Sequence, residues 1–251
     1  MFGTGSPLPP LPQDIWLRWN WNSVFLLAMG LIAWAYLRGV QNVWRRAGAG
    51  RGVRRWQPVA FMLGLAALFV AFISPLEALA TALFSAHMIQ HLLLILVAAP
   101  LLVAGAPLVP FLWMLPKSVR RDVGRYWKRT GIIQKIWHGL TQPLPVWFFY
   151  ATVLWLWHLP YLYQQALART WVHELEHVTF LGAALGWWWI VLRPTDHRRL
   201  KHGATVLFIF TTALHSGALG ALISFAQVPL YPVYASTAAA WGVTLLEDQQ
   251  L

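Results

Sequence analysis

The sequence predicts an all-α protein, a polytopic bundle of transmembrane helices. Of its 251 residues, 58% are hydrophobic and 11% are charged, whereas soluble domains carry about 25% charged residues. Tryptophan is abundant, with 17 residues. A spanning helix needs about 20 mostly apolar residues, so several such helices would account for most of the chain.

Six apolar stretches are predicted to span the bilayer. They cover residues 24–37, 59–73, 83–103, 145–158, 172–192 and 204–225. The fifth carries Gly182 and Gly186, whose spacing predicts close packing on another helix. A further apolar piece, 107–115, is broken by Pro107 and Pro110. Because it is too short to cross, it is predicted to lie at an interface or to re-enter.

Basic residues assign the loops to opposite sides of the membrane. Seventeen of the 19 Lys and Arg fall in alternate loops, so the positive-inside rule predicts that the N-terminus lies outside. Two basic segments, 38–57 and 116–144, are assigned to the cytoplasmic side, and the second is predicted to form an amphipathic surface helix. The net charge of +11 then reflects contact with the lipid bilayer, and nucleic acid is not expected as a partner. The chain is interpreted as one transmembrane domain, 1–251.

The nine histidines separate into two groups. His138, His197 and His202 lie beside Lys and Arg in predicted cytoplasmic loops, where solvent or headgroup contacts account for them. The other six lie toward the outer ends of predicted spans, where ionisable side chains are costly and usually functional. These candidate metal ligands are His87, His91, His158, His173, His177 and His215.

Two pairs of these histidines have a spacing that suits metal binding. The run H-M-I-Q-H holds His87 and His91, and H-E-L-E-H holds His173 and His177. Side chains four residues apart lie on one helix face, so both imidazoles of a pair can reach one ion. The chain has no Cys, so any metal site must use His, Met, carboxylates or water.

The remaining candidates are assigned supporting positions. His158 ends its predicted span at the level of the two pairs. His215 lies roughly 15 Å inside its span and is expected to be a deeper second site, a relay, or a ligand if that helix ends early. Glu174 and Glu176 are expected to orient imidazoles by accepting hydrogen bonds.

Three chemistries fit these residues. H-E-x-x-H is the pattern of zinc metalloproteases, in which Glu174 would be the general base. Histidines on different helices could ligate haem, as in a membrane cytochrome b. Imidazole sites also suit Cu(II), zinc or nickel, with Met88 as an added soft ligand, in a protein that binds and delivers a metal without turnover. The protease pattern leaves H-M-I-Q-H unexplained, which favours metal delivery.

Four segments resemble the CtaG family of bacterial cytochrome c oxidase assembly factors. They are SAHMIQHLLLILVAAPLLVAGAP, LWHLPYLYQQAL, HELEHVTFLGAALGWWW and VPLYPVYA, within about residues 85–251. The resemblance implies a seven-helix protein of the bacterial plasma membrane that is not an enzyme. E-D-Q-Q-L matches the family's D-Q-Q element, which normally leads into a final helix. The resemblance therefore implies a seventh span that is missing after Leu251, either because the sequence is cut there or because the helix is absent.

The resemblance also implies copper as the bound metal, with zinc as the alternative. It carries this role to the histidines of the matching motifs, His87, His91, His158, His173 and His177. The expected partners are a cytochrome c oxidase subunit that carries a copper site and an upstream copper donor. We expect the metal to enter from the outer side and to pass laterally to the oxidase.

Overall fold

The computed structural model describes residues 10–129, 131–192 and 202–251, and within them it contains helices and no strand. The all-α prediction is confirmed. His197 and the basic residues of the predicted fifth loop, Arg193, Arg198, Arg199 and Lys201, lie outside the described residues. The α-helices are α1 Ser23–Ala47, α2 Trp56–Ile73, α3 Pro75–Ala80, α4 Phe84–Leu92, α5 Ala99–Ala104, α6 Leu108–Met114, α7 Lys117–Arg129, α8 Gly131–Leu140, α9 Pro143–Trp157, α10 Pro160–Ala168, α11 Thr170–Leu192, α12 His202–Ser224, α13 Ala235–Ala238 and α14 Leu245–Gln250.

Five helices in the described part of the chain are long and apolar enough to cross a membrane. They are α1, α2, the continuous helix Phe84–Ala104, α11 and α12. The sixth predicted stretch, 145–158, corresponds to α9, which has 15 residues and a length of about 22 Å. It ends at Trp157 because Leu159 precedes Pro160 and is extended, with ψ 127°, as steric conflict with a proline ring requires. The six predicted spans are thus five long helices and one shorter apolar helix.

The predicted loop segments hold helices of their own. The segment 38–57 is helical as far as Ala47, because α1 continues past its predicted end. Arg45 and Arg46 occupy the last turn of α1, where positive charge is favoured by the helix dipole. The proline-broken piece 107–115 forms α6, which packs against α1, and the segment 116–144 holds α7 and α8.

The helix Phe84–Ala104, called the third span from here on, lies between two hydrophobic cores. One of its faces, with Leu94, Ala98 and Leu102, packs into the core formed with α1 and α2. Another face, with Phe84 and Ile95, packs into the core formed with α9, α10, α11 and α12. Polar side chains on this helix are therefore enclosed by protein.

The middle of the third span is a π-helical segment, Leu93–Ala98. In a π-helix, the residue at 100 would donate its N–H to the carbonyl of Ile95, but Pro100 has no N–H. The indole Nε1 of Trp188 on α11 donates to that carbonyl instead, at 2.7 Å. This bond fixes α11 against the third span, one helical turn beyond His91. Single π-helical turns are rare and occur frequently at functional sites.

Close helix contacts occur at other glycines than the predicted ones. A Cβ at Gly39 on α1 would lie 1.9 Å from the carbonyl oxygen of Pro110, and one at Gly64 would lie 2.8 Å from Leu102. A Cβ at Gly182 would meet no described atom within 4 Å, and one at Gly186 would make an ordinary contact of 3.6 Å with Val146. The predicted close packing at Gly182 is wrong, since this side of α11 is open in the described structure.

We expect Gly39→Ala to destabilise the bundle strongly, because the added methyl group would overlap the backbone of α6. Gly30→Ala is the matched control on the same helix, since its Cβ would meet nothing within 4 Å. Replacing an open helical glycine by alanine stabilises a helix by up to about 1 kcal/mol. Thermal unfolding in detergent should show a lower midpoint for Gly39→Ala and an unchanged or higher one for Gly30→Ala. Equal midpoints would contradict the α1–α6 contact.

Candidate metal centre

Four imidazole rings from two helices meet at one end of the bundle. His87 is the fourth residue of α4 and His173 is the fourth residue of α11, so the two helices present their histidine pairs at the same depth. Ring centroids lie 4.4 Å apart for His87 and His91 and 4.3 Å apart for His173 and His177. Between the helices, His87 lies 5.4 Å from His173, and His91 lies 5.3 Å from His177. The structure therefore brings both predicted pairs together.

The carboxylate of Glu176 lies among these rings. Its Oε2 is 3.7 Å from Nε2 of His87, and its Oε1 is 3.9 Å from Nε2 of His91. Glu176 is 0% exposed, as is His87. Two overlapping groups have donor atoms within 4.8 Å of one another: His87, His91 and His177, and His87, His173 and Glu176. Each group could hold one ion after small side-chain rotations, since tetrahedral donors at about 2.0–2.1 Å from an ion lie roughly 3.4 Å apart.

Most donor atoms of this cluster have no hydrogen-bond partner among the described residues. The unpartnered buried atoms are His87 Nε2, His91 Nδ1 and Nε2, His173 Nε2, His177 Nε2 and both carboxylate oxygens of Glu176. A buried polar atom without a partner costs free energy, and folded proteins contain few of them. Seven such donor atoms in one small volume are an arrangement typical of a metal site.

The prediction for Glu174 is not matched by its position in the structure, because Glu174 is exposed while Glu176 is buried. Helix geometry explains the difference. Glu176 is three residues after His173 and shares its helix face, whereas Glu174 is rotated by about 100°. The i,i+3 spacing from His173 is therefore the sequence feature that distinguishes the buried Glu176 from the exposed Glu174.

A layer of tyrosines covers the cluster beside His87. The hydroxyl of Tyr234 lies 3.4 Å from Nδ1 of His87, donates to the carbonyl of Ala80 at 3.2 Å, and contacts the hydroxyl of Tyr163 at 2.8 Å. Burial raises the pKa of the Tyr163 and Tyr234 phenols, so both keep their protons. With Tyr234 donating to Ala80, it accepts from His87 Nδ1–H, which leaves Nε2 of His87 free to bind a metal.

On the other side of the third span, Gln90 connects the site helix to α2 and α3. Its Nε2 donates to the carbonyl of Ala71 at 2.7 Å and to the carboxylate of Glu77. Burial raises the pKa of Glu77 to about 7, and the hydrogen bond from Gln90 opposes this rise. Gln90 thereby sets the rotation of α4 that directs His87 and His91 toward α11.

His158 lies beside the cluster and outside both groups of potential ligands. Its Nδ1 contacts the carbonyl of Leu154 at 2.7 Å, and its ring lies 6.1 Å from Phe180, which in turn lies 4.5 Å from His91. His158 and His91 both border an apolar cavity of about 800 Å³ between the third span, α9, α11 and α12. His158 therefore lies beside the cluster and shares the border of this cavity with His91.

His215 is not brought to the cluster. Its ring packs 5.1 Å from Trp147 and 6.2 Å from Tyr150, both on α9. The reason is topological, because α12 packs against α9 and is separated from the third span by the apolar cavity. Both ring nitrogens of His215 are buried and lack a described partner, but His215 belongs to no group of three or more potential ligands among the described residues.

Asp248 holds the N-terminus of the helix that carries His87 and His91. Its carboxylate accepts hydrogen bonds from the backbone N–H of Phe84 at 2.6 Å, the N–H of Ser85 at 3.2 Å and the hydroxyl of Ser85 at 2.6 Å. A carboxylate at a helix N-terminus satisfies unpaired N–H groups and complements the dipole. Gln249 continues this clamp by accepting from Leu230 N–H and donating to the Ile223 carbonyl. The D-Q-Q element is thus a structural clamp on the site.

With this geometry established, comparison with known proteins identifies the family. The sequence model of the family described as cytochrome c oxidase caa3 assembly factor (Caa3_CtaG) matches residues 34–251. The chain belongs to this family. The match includes every residue of the histidine cluster and of its Asp248 clamp, and it confirms the resemblance to CtaG that the histidine motifs indicate.

The CtaG chain is also similar to curated mycobacterial proteins. It is 24% identical over 253 aligned residues to the uncharacterized proteins Mb0105 of Mycobacterium bovis and MT0111 of Mycobacterium tuberculosis, and 23% identical to ML1998 of Mycobacterium leprae. These alignments cover 99% of this chain and 38% of each relative, so the chain spans well under half the length of the curated relatives it matches. No solved structure matches it.

We expect Asp248→Asn to lower the stability of this CtaG chain, because one amide oxygen cannot replace two carboxylate oxygens that accept three hydrogen bonds. Leaving a buried donor unsatisfied costs about 1–3 kcal/mol. Glu247→Gln is the matched control, since Glu247 is exposed and its amide would still accept from Thr244 N–H. Thermal unfolding in detergent measures both. The clamp is disproved if the two variants unfold at the same temperature.

Proposed function

We propose that this CtaG-family chain binds copper at the His87–His91–His173–His177–Glu176 cluster and supplies it to a cytochrome c oxidase during assembly. The observation that carries this proposal is the set of buried, unpartnered nitrogen and oxygen donors on two facing helices. The family description supplies the biological context, since it names assembly of cytochrome c oxidase. The role is one of binding and transfer, and it requires no substrate turnover.

The donor set supports copper, with zinc as the alternative. Imidazole nitrogens and carboxylate oxygens suit Cu(II) and zinc, and copper binds such donors more tightly than zinc does. The two donor groups share His87, which offers one ligand atom, so they are alternative sites for a single ion. Haem–copper oxidases need copper during maturation, whereas a protease role for zinc would need Glu174 beside the ion, and Glu174 is exposed.

The position of the cluster supports delivery at one membrane surface. Both histidine pairs lie within two turns of the starts of their helices, and α1 and α2 carry their arginine-rich ends at the opposite end of the bundle. If the basic end is cytoplasmic, the cluster faces the outer side of the plasma membrane. An upstream donor then loads the site from outside, and an oxidase subunit accepts the metal beside His158 and the apolar cavity.

Metal analysis of the purified chain tests the copper proposal. We expect His87→Gln combined with His91→Gln to reduce bound copper to background, because each change removes an imidazole while keeping a side chain of similar size. The matched control combines His138→Gln and His202→Gln, two exposed histidines outside the cluster, and should retain copper. Oxidase copper content in membranes of the host should follow the same order.

Two other results of the metal analysis would contradict the proposed copper site. Zinc retained equally by both double variants, with no copper in the unaltered chain, would overturn the copper assignment and remove the cluster as its site. A haem absorption band in place of bound copper would favour the bis-histidine cytochrome, for which His91 and His158 border a cavity of sufficient size.

Variants of the two glutamates of H-E-L-E-H distinguish a metal-delivery function from a protease function. We expect Glu176→Gln to weaken copper affinity by about 10–100-fold, the usual effect of losing a carboxylate that binds or orients ligands. Glu174→Gln removes the same charge from an exposed position two residues away and should leave affinity and oxidase assembly unchanged. Titration against a competing chelator measures the affinities. Loss of function in Glu174→Gln with copper affinity intact would instead support the zinc protease, whose general base that residue would be.

A further inference from the structure

A basic pocket lies at the opposite end of the bundle from the histidine cluster. It has a volume of about 500 Å³ and lies where the end of α1 meets the connection from α6 to α7. Its lining includes five cationic side chains: Arg38, Arg45, Arg46, Lys117 and Arg120. Neither the histidine cluster nor its clamp uses any of these residues.

The pocket is built around Trp113. Its backbone carbonyl accepts a hydrogen bond from the side-chain amide of Asn42 at 3.0 Å, which joins α1 to α6. The guanidinium groups of Arg120 and Arg46 lie 4.0 and 5.4 Å from the Trp113 ring. Stacking on an aromatic ring restricts an arginine and leaves its N–H edge free to bind an anion. Two of the five cations are thus held in place before any ligand arrives.

The charges of this pocket are unbalanced. No carboxylate lines it among the described residues, and the nearby Asp122 pairs with Arg125 at 3.3 Å. Helix α7 begins at Lys117 with no acidic residue in its first turn, so the positive end of its dipole adds to the five side-chain charges. Like charges gathered at this density repel one another, and a bound anion relieves the repulsion.

We propose that this pocket binds a phosphate group, carried by an anionic phospholipid headgroup or by a soluble phosphate ester. Planar guanidinium groups match the oxygens of a phosphate through paired hydrogen bonds. Basic pockets at the end of membrane helices bind such headgroups, and this one lies at the ends of apolar helices where headgroups are found. The inference stands independently of the metal that the histidine cluster binds.

Binding of phosphatidylglycerol to the delipidated chain in neutral detergent tests the proposal, with native mass spectrometry as the readout. We expect binding of phosphatidylglycerol in preference to phosphatidylcholine. Arg46→Gln combined with Arg120→Gln should weaken it by about tenfold or more, since two charge-assisted contacts are lost. The matched control, Arg54→Gln with Arg55→Gln, removes the same charge from exposed residues at the same end of the bundle and should bind as before.

Glycerol phosphate distinguishes the two sources of the phosphate group. If it competes with phosphatidylglycerol at similar concentration, the phosphate comes from a soluble ester, and if it does not, the acyl chains contribute and the ligand is the lipid. Circular dichroism of each variant establishes that the helices remain folded. Equal weakening in the two double variants, or no preference for the anionic lipid, would overturn the proposal.

Discussion

The arrangement of this molecule depends on enclosing a polar helix between two hydrophobic cores. The third span carries His87, Gln90 and His91 within protein on its opposite faces. Bulk water does not reach these buried groups, and a buried polar group that is left without a partner costs free energy. The side-chain Nε2 of Gln90 donates to Ala71 and Glu77, whereas its Oε1 has no partner among the described residues. The imidazoles face those of α11 and the Glu176 carboxylate without hydrogen bonding to them, and this arrangement requires the two helices to stay in one register.

Several contacts maintain that register, and they act at different heights of the helix pair. Asp248 fixes the beginning of the third span, and the Trp188 indole fixes its π-helical middle through the Ile95 carbonyl. Tyr234 bridges the beginning of the span to Ala80 and Tyr163. A rigid frame with donors already converging loses little freedom when an ion binds. For the proposed copper-binding role, such preorganisation would favour tight binding, and release would require movement of a ligand such as His173, the most exposed of the four histidines.

The sequence was informative where a feature repeats within one helix. The i,i+4 spacing of His87 with His91 and of His173 with His177 follows from helix geometry, and both pairs lie where that spacing places them. The pairing of α12 with α9 depends on contacts far apart in the chain, so sequence spacing could not show that His215 faces Trp147. The role of Asp248 also depends on contacts far apart in the chain, so sequence spacing could not show it. Helix α9 ends where it does because the residue before Pro160 is extended. This feature is local in the sequence, but a prediction from hydropathy alone does not take it into account.

The clamp between α14 and α4 has a consequence for biosynthesis. Asp248 caps a backbone N–H that lies 164 residues earlier in the chain. During translation, the helix that bears His87 and His91 enters the membrane long before its capping carboxylate is made. Until then its first turn retains unsatisfied donors, and its contact with α11 lacks its final restraint. The N-terminal cap of this helix can therefore form only after α14 has been synthesised.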